Sequence, residues 1–285
     1  MTSPQSVVNQ QDVPDFAAVT SRQQQTWATG DFNVIALSVI GASEQLCQAV
    51  DPRPGQHVLD IACGSGNASL IAARRYCDVT GIDYVPDLVA RARQRAAAEG
   101  SQIDFREGDA QALPVGDGAF DVVLSVFGVM FAPDHTRAAG ELLRACRSGG
   151  TIGLANWMPE GWGGDFFRAL SKHLPPPAAG MKPPVRWGTE DGIRDLLGAG
   201  TTAISLTTRV FTQHYRSLDH ALDMFFTYYG PTARALNAAD AFGREALRRD
   251  VADVFRRYDE ATDGTCAMRC EYMQVVATRG DRPIA

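Results

Sequence analysis

The sequence predicts an α/β fold, in which a mostly parallel β-sheet carries helices on both faces. Between residues 57 and 156, short apolar runs alternate with longer segments of helical periodicity, a pattern typical of parallel sheets. No internal repeat is visible, which excludes solenoids and propellers. With 285 residues and 45% hydrophobic content, the chain can bury the core that such a sheet requires.

Two segments precede the predicted sheet. Residues 1–21 show no periodicity and are expected to form a flexible tail. Residues 22–50 are expected to form helices that cover the core, and they end at the breaker run Asp-Pro-Arg-Pro-Gly at 51–55. The core itself is assigned to residues 51–156. Its predicted elements are strands at 57–62, 78–83, 102–107, 120–126 and 151–156, and helices at 66–75, 86–99 and 135–146.

Beyond residue 156 the pattern changes. Glycines and prolines interrupt residues 157–200, so this stretch is predicted to be a loop-rich insertion or lid with one helix near 190–197. Residues 201–285 are predicted to complete the sheet. This last region has a strand near 204–214, lid helices at about 217–260, and a final strand at 271–278 rich in β-formers.

Composition argues against several kinds of partner. The formal net charge is −6 and Lys and Arg do not cluster, so nucleic acid is a poor substrate candidate. The six cysteines lack zinc-like spacing, and we predict reduced thiols and no metal site. No apolar run reaches the length of a membrane span and no signal peptide is visible. We therefore expect a cytoplasmic protein that acts on a small molecule, either as a monomer or as a homodimer.

A glycine-containing turn follows the first predicted strand. Gly64 and Gly66 have no side chains, so a ligand can approach their backbone closely. The dinucleotide fingerprint is incomplete because Ser69 stands where its third glycine would be. The acid Asp60 on the strand would repel a pyrophosphate but suits a ligand with an ammonium and a sulfonium. This combination favours S-adenosylmethionine over NAD.

Two further acids follow the next predicted strands. Asp83 ends the second strand, where a carboxylate can accept hydrogen bonds from both ribose hydroxyls. Asp109 follows the third strand, where it is suited to accept from an adenine amino group. A plain capping or loop aspartate is the alternative interpretation at each position.

These features occur in an order that resembles the class I methyltransferases. The run 120–127, Phe-Asp-Val-Val-Leu-Ser-Val-Phe, and the run 144–152, Arg-Ala-Cys-Arg-Ser-Gly-Gly-Thr-Ile, add to the likeness. More narrowly, the chain is similar to bacterial methyltransferases grouped with the ubiquinone and menaquinone C-methyltransferases. Ala62 departs from the first glycine of the usual acid-x-Gly-x-Gly-x-Gly pattern, and Ser148 departs from the usual Pro of Arg-Pro-Gly-Gly.

The resemblance implies a Rossmann-like sheet of seven strands, mostly parallel with the last strand antiparallel, and a lid of helices and loops. It implies S-adenosyl-L-methionine as cofactor and the bacterial small-molecule methyltransferases as the functional group. The implied cofactor-binding residues are Asp60, Ala62, Gly64, Gly66, Asp83, Tyr84, Asp109, Ala110, Ser125 and Phe127.

The acceptor is expected to bind beyond the carboxyl ends of the strands. The aromatic character of this region suggests a small, largely apolar acceptor, a class that includes aromatic molecules and natural products, methylated at oxygen, carbon or nitrogen. The candidate pocket residues are Met130, Phe131, Trp157, Trp162, Trp187, Phe226 and Tyr229. Positioning can supply most of the catalysis, and no general base stands out. The weak catalytic candidates are His135, His214 and Tyr229.

Two other functions are weighed. An NAD(P)-dependent oxidoreductase is opposed by the missing third glycine and by Asp60. A noncatalytic protein that keeps the fold would bind cofactor without turnover. A nucleobase amino-methyltransferase is disfavoured because residues 125–128, Ser-Val-Phe-Gly, replace the expected Asn/Asp-Pro-Pro-aromatic motif.

Overall fold

The computed structural model describes residues 14–281 and contains a seven-stranded sheet. Its strand order is β3-β2-β1-β4-β5-β7-β6. The strands are β1 (His57–Ile61), β2 (Asp78–Asp83), β3 (Asp104–Glu107), β4 (Phe120–Val126), β5 (Cys146–Trp157), β6 (Thr201–Tyr215) and β7 (Cys266–Arg279). Strand β7 is antiparallel to both of its neighbours, and the pairs among β1 to β5 are parallel. The predicted fold class is confirmed.

The described residues also form eleven α-helices. They are α1 (Phe16–Trp27), α2 (Phe32–Ser38), α3 (Ile40–Val50), α4 (Asn67–Ala73), α5 (Pro86–Ala98), α6 (His135–Ala145), α7 (Trp162–Ser171), α8 (Glu190–Leu197), α9 (Leu218–Tyr228), α10 (Gly230–Ala238) and α11 (Ala241–Tyr258). Helices α3, α4 and α5 cover the sheet on one side, and α6 packs with α8 and β5. None of these described helices has the length and apolar character needed to cross a membrane.

Local sequence explains the main elements. In β1 every residue after His57 is buried, as expected for a parallel strand covered on both faces. Helix α5 begins with Pro86, whose fixed φ angle suits a first helical turn. At α6, the Asp134 carboxylate accepts a hydrogen bond from the Arg137 amide at 3.0 Å and so caps the helix.

Four helices form a cap over the carboxyl ends of the strands. We call α7, α9, α10 and α11 the helical cap. Helix α11 packs on α7, α9 and α10, and α10 also contacts α1. At the α10–α1 contact there is no room for a side chain on Gly230, because a Cβ atom there would lie 2.0 Å from the Thr26 carbonyl oxygen. The N-terminal helix is therefore joined to the cap.

The structure corrects two boundaries. Helix α1 begins at Phe16, within the expected tail, and Asp15 caps it by accepting from the Ala18 amide. None of its residues is buried, so apolar periodicity gave no signal. The rest of the expected tail, residues 1–13, lies outside the described residues. The second correction concerns residues 157–200, which were expected to be loop-rich with one helix near 190–197. They also contain helix α7.

Helix α7 was missed because Gly163 and Gly164 resemble helix breakers. Close packing explains why both positions are glycine. A Cβ atom on Gly163 would lie 2.8 Å from the Trp157 ring, and one on Gly164 would lie 1.9 Å from the Pro159 carbonyl oxygen. Close packing against the end of β5 therefore requires glycine inside this helix.

Candidate active site

Two adjoining cavities lie at the carboxyl ends of the parallel strands. The strand-end cavity, of about 680 Å³, is bordered by Asp83, Asp109 and their neighbours. The aromatic cavity, of about 760 Å³, lies between the turn after β1, helices α2 and α3, and the helical cap. Several residues line both cavities, so the two spaces adjoin. These shared residues are Trp27, Phe32, Ala62, Gly64, Val126, Phe127 and Phe131.

Asp83 lies at the end of β2, in the wall of the strand-end cavity. One carboxylate oxygen accepts a hydrogen bond from the Gly64 amide at 2.9 Å, and the other accepts from the Val85 amide at 2.9 Å. Burial raises the pKa of this carboxyl to about 6, although the two amides oppose the shift. Each oxygen retains a lone pair for a further donor. Asp83 thus joins the glycine turn to β2 and can still accept hydrogen bonds from hydroxyl groups.

Asp60 lies near the end of β1, in the wall of the aromatic cavity. One carboxylate oxygen accepts from the Ser69 amide at 2.9 Å and from the Ser69 hydroxyl at 2.6 Å. Burial raises the pKa of Asp60 to about 7 despite these bonds. A cation beside this carboxyl would therefore favour its charged form.

Asp109 follows β3, and its two oxygens accept from the side-chain amide of Gln111 at 3.1 and 3.0 Å. Tyr84 and Ala110 lie in the same wall of the strand-end cavity. Gln111 is held in turn, because its amide also contacts the Thr20 hydroxyl on α1 at 3.0 Å. The N-terminal helix is therefore tied to this side of the cavity.

The turns after β1 and β4 lie against each other, and each contains a residue with an unusual backbone φ angle. Ala62 and Phe127 both have positive φ angles, 50° and 53°, which L-residues seldom adopt. Between them there is no room for a side chain on Gly128, because a Cβ atom there would lie 2.6 Å from both the Ala62 Cβ and its carbonyl oxygen. Such outliers are often found at ligand sites.

Replacing Ala62 with glycine is expected to raise the free energy of unfolding by up to about 1 kcal/mol, because glycine adopts positive φ without steric cost. Urea unfolding measures the change. Ala68→Gly is the matched control: Ala68 is also buried, but it lies in helix α4, where glycine costs roughly 1 kcal/mol. An equal loss of unfolding free energy in both variants would contradict the presence of backbone strain at Ala62.

Aromatic rings form most of the aromatic cavity. Phe127 stacks on Trp157, with ring centroids 4.0 Å apart and planes 8° apart. Trp162 stacks on Phe166 in the same way, with centroids 5.2 Å apart. Tyr229 joins the other side and packs edge-on against Trp27 at 5.4 Å. The structure thus brings together four predicted pocket residues: Phe131, Trp157, Trp162 and Tyr229.

Five predicted site residues line neither cavity. Gly66 has a φ angle of 84° and closely approaches Phe105, so its role is to pack α4 and the sheet together. The Ser125 hydroxyl donates to the Ile61 carbonyl at 2.8 Å and accepts from the Val129 amide at 3.0 Å, which joins β4 to β1. Met130 and Trp187 are fully buried elsewhere, and Phe226 lies beneath the Arg248 guanidinium. Their assignments to the cofactor or acceptor site stay predictions.

Two of the three catalytic candidates also lie outside the cavities. His135 is buried with its ring edge-on to Trp187, 5.8 Å away, and its Nδ1 atom has no partner. Burial, together with the nearby Arg186, lowers the pKa of His135 to about 4. His214 is exposed on β6. Tyr229 does line the aromatic cavity, and burial raises the pKa of its hydroxyl.

Replacing His135 with phenylalanine is expected to make the protein more resistant to acid. The folded-state pKa lies below the ordinary value near 6.5, so His135 costs stability as the pH falls from about 6.5 to about 4. Relative to wild type, the variant should gain roughly 2–3 kcal/mol of unfolding free energy between pH 7 and pH 4. Urea unfolding at both pH values measures this. His214→Phe, at an exposed position, should show no such gain.

Sequence reasoning missed Ser43 and Gln213, which line the aromatic cavity. Gln213 lies between Phe211 and Tyr215 on the buried phase of β6. The alternation of apolar and polar residues in the sequence places Gln213 at a buried position, and a polar residue there could have been recognised as a candidate site residue. Ser43 lies on the buried side of α3, where a small hydroxyl residue gives no comparable signal.

The charged residues that line the two cavities restrict the kind of ligand that fits. Among the described residues, no Lys or Arg lines either cavity, whereas three carboxylates do: Asp60, Asp83 and Asp109. A pyrophosphate would be repelled there, and a ligand with cationic groups and a ribose would be favoured. No group of His, Cys, Asp and Glu suited to a metal ion occurs within residues 14–281.

The fold and these cavities define an S-adenosylmethionine-dependent methyltransferase of class I. Residues 58–150 match a family model described as a methyltransferase domain. The chain is 37% identical to Rv1405c of Mycobacterium tuberculosis, a protein described as uncharacterized, over 89% of this chain and 92% of that one. The chain belongs to the class I methyltransferases, whose methyl donor is S-adenosylmethionine.

Two characterised proteins add to the comparison. A demethylmenaquinone methyltransferase of Thermus thermophilus is 35% identical over 44% of this chain and 59% of its own length. A phosphoethanolamine N-methyltransferase of Haemonchus contortus, solved with S-adenosylhomocysteine, superposes with a TM-score of 0.58. It shares 16% identity over 95% of this chain and 61% of that one. This last likeness concerns the fold alone.

Proposed function

We propose that this enzyme methylates a small, largely apolar acceptor that binds in the aromatic cavity. One observation carries the proposal: the aromatic cavity adjoins the strand-end cavity, and the two share wall residues. Rings of Trp157, Trp162 and Phe166 leave little polar surface for a nucleic acid or a peptide backbone. The methylated atom is oxygen, carbon or nitrogen.

The cofactor spans the two cavities, and each acidic residue contacts a different part of it. In this proposal Asp83 accepts the ribose hydroxyls, and Asp109, Ala110 and Tyr84 surround the adenine. Asp60 and Gly64 line the methionine end, nearer to the aromatic rings. Bound S-adenosylmethionine supplies a methyl group on a positively charged sulfur. The Asp60 carboxyl, with its raised pKa, is suited to face that positive charge.

Positioning and exclusion of water are the main contributions of the protein. The stacked Phe127–Trp157 pair lines the aromatic cavity, and Trp27 packs edge-on against Phe131 in the same wall. An acceptor held between these rings meets the sulfonium in an apolar enclosure, which favours transfer to an anionic nucleophile. His135 and His214 line neither cavity, so this proposal gives them no role as a base.

Turnover on a mixed acceptor panel tests this proposal. The protein would be incubated with S-adenosylmethionine and with small aromatic alcohols, amines and thiols, and separately with an oligonucleotide and a peptide. Release of S-adenosylhomocysteine above the acceptor-free rate is expected only with small molecules. Turnover confined to the oligonucleotide or the peptide would refute it. Cofactor binding without turnover on any member would favour the noncatalytic alternative.

A further inference from the structure

A half-buried arginine on α5 holds the glycine turn, which is residues 62–66 between β1 and α4. One guanidinium nitrogen of Arg95 donates to the Ser65 carbonyl at 2.7 Å and to the Ser65 hydroxyl at 3.0 Å. The same nitrogen donates to the side-chain oxygen of Asn67 at 2.8 Å. Ser65 and Asn67 line the aromatic cavity, whereas Arg95 lines neither cavity. Arg95 therefore acts on the cavity wall through other residues.

Asn67 extends this contact to helix α2. Its side-chain nitrogen donates to the Ala36 carbonyl at 2.7 Å, in the last turn of α2, where carbonyl oxygens lack α-helical partners. The amide oxygen accepts from Arg95 while the amide nitrogen donates to Ala36, so both neighbours specify the same amide orientation. Asn67 is only 8% exposed, so water competes little for either bond. The side chain is thus an oriented bridge between α5 and α2.

The hydrogen bonds of Arg95 go to neutral oxygens, which is a costly arrangement for a cation. Glu99, one turn further along the chain, forms an ion pair with Arg74 at 2.6 Å. Burial lowers the pKa of the Arg95 guanidinium, because a charged group is less stable away from water. The three hydrogen bonds to the turn and its neighbour offset this cost. This pattern indicates that the cation is used to fix the turn.

The glycine turn is held at two successive residues. The Asp83 carboxylate accepts from the Gly64 amide at 2.9 Å, and Arg95 donates to the carbonyl of the next residue, Ser65. Helix α2, joined to the turn through Asn67, forms part of the wall of the aromatic cavity. Its wall residues are Phe32, Ile35 and Ala36. Fixing the turn to α2 therefore fixes this wall relative to the turn.

We propose that Arg95 is a positioning residue that holds the glycine turn and, through Asn67, helix α2 in one arrangement. The turn beside the methionine end of the cofactor and the α2 wall of the aromatic cavity then move as one unit. This inference rests on the placement of the cofactor beside Gly64 in the proposed function. A site that is already ordered binds its ligand more tightly, because less conformational freedom is lost on binding.

Calorimetry with S-adenosylhomocysteine and hydrogen exchange of the ligand-free protein together test the inference. Arg95→Met keeps a long, helix-forming side chain but removes the donor nitrogen. We expect its S-adenosylhomocysteine affinity to fall about tenfold. The amides of residues 36–39 should exchange about fivefold faster than in wild type. Arg95→Lys should restore the affinity to within about threefold of wild type, because all three bonds come from one nitrogen and a lysine ammonium has three donors.

Arg93→Met is the matched control. Arg93 lies on the same helix, and its side chain donates to the Phe105 carbonyl on β3 at 2.5 Å. This control should lose unfolding free energy in urea, yet leave unchanged both the S-adenosylhomocysteine affinity and the exchange of residues 36–39. A purely structural role for Arg95 predicts the same result in Arg95→Met.

Asn67→Leu isolates the link to α2. It breaks the bond to Ala36 and leaves the two bonds between Arg95 and Ser65 in place. Exchange of residues 36–39 should accelerate as much as in Arg95→Met, with a smaller loss of S-adenosylhomocysteine affinity. The double variant should show no further acceleration, because the two residues act in one connected path.

An affinity in Arg95→Met within about twofold of the Arg93→Met control would overturn the inference. So would wild-type exchange of residues 36–39 in Asn67→Leu, which decides the question if Arg95→Met does not fold. Loss of affinity in Asp83→Ala without loss in Arg95→Met would overturn this inference and leave the proposed function in place. Unchanged affinity in both variants would contradict the proposed cofactor placement as well.

Discussion

Replacing Asp83 with alanine is expected to weaken S-adenosylhomocysteine binding roughly 100-fold or more. Asp83 borders the strand-end cavity, and hydrogen bonds to a charged group contribute about 1.5–3 kcal/mol each. Isothermal titration calorimetry measures the loss. Asp104→Ala is the control, since Asp104 is an exposed carboxylate on β3 that lines neither cavity.

The same substitution also has a folding cost. The Gly64 and Val85 amides would lose their acceptor, and each unpaired buried donor costs about 1–3 kcal/mol. The structure therefore predicts a loss of stability in addition to the loss of binding. Asp83→Asn retains one oxygen for an amide, and urea unfolding separates the folding cost from the binding cost. Affinity within threefold of wild type in both variants would refute the ribose assignment.

Acidification from pH 7 to pH 5 is expected to weaken S-adenosylmethionine binding about tenfold or more. Burial raises the pKa of Asp60 to about 7 and that of Asp83 to about 6, so both carboxyls become protonated in this range. A cationic ligand favours their charged forms and must release those protons when it binds. Affinity should therefore rise with pH.

Proton release provides a direct measurement. At pH 6.5, calorimetric titrations in two buffers of different ionisation enthalpy should differ in heat by the protons released. Asp60→Asn removes one titrating group and should reduce both the release and the pH dependence. S-adenosylhomocysteine lacks the sulfonium charge and should show a weaker dependence. Affinity that is flat with pH, or proton uptake on binding, would contradict the electrostatic role of Asp60.

The same carboxyls affect the free protein in the opposite direction. Their folded-state pKa values exceed the ordinary value near 3.9, so their contribution to stability is greatest at low pH. That contribution is lost as the pH rises through about 6 to 7. Ligand binding and ligand-free stability should therefore show opposite pH trends over this interval.

The sequence predicted the sheet well because local patterns define its strands. Alternation of apolar runs and helical segments fixed β1 to β5 within a few residues, although β5 begins at Cys146, earlier than the predicted residue 151. The acids at strand ends were placed correctly for a related reason. Carboxyl ends of parallel strands meet at one edge, so Asp60, Asp83 and Asp109 were expected near one ligand, and all three border the cavities.

Side-chain direction was harder to predict. Ser125 lies at the correct strand end, but its hydroxyl is used between β4 and β1. Trp187 belongs to the aromatic stretch after β5, yet its short 3₁₀ helix (Pro184–Gly188) places it in the core beside His135. Gln213 was overlooked, although it alternates with Phe211 and Tyr215 along the buried face of β6. These outcomes depend on tertiary packing.

The order of the strands has a consequence for the timing of synthesis. Strand β6, which carries Gln213, pairs only with β7, and β7 joins it to β5. Strand β7 begins at Cys266, whereas β5 ends at Trp157. At about 5–20 residues per second, the ribosome produces β7 roughly 5–20 s after β5 is complete. The strands that lead to Asp60, Asp83 and Asp109 thus emerge first, and the part of the aromatic cavity wall that β6 supplies is assembled last.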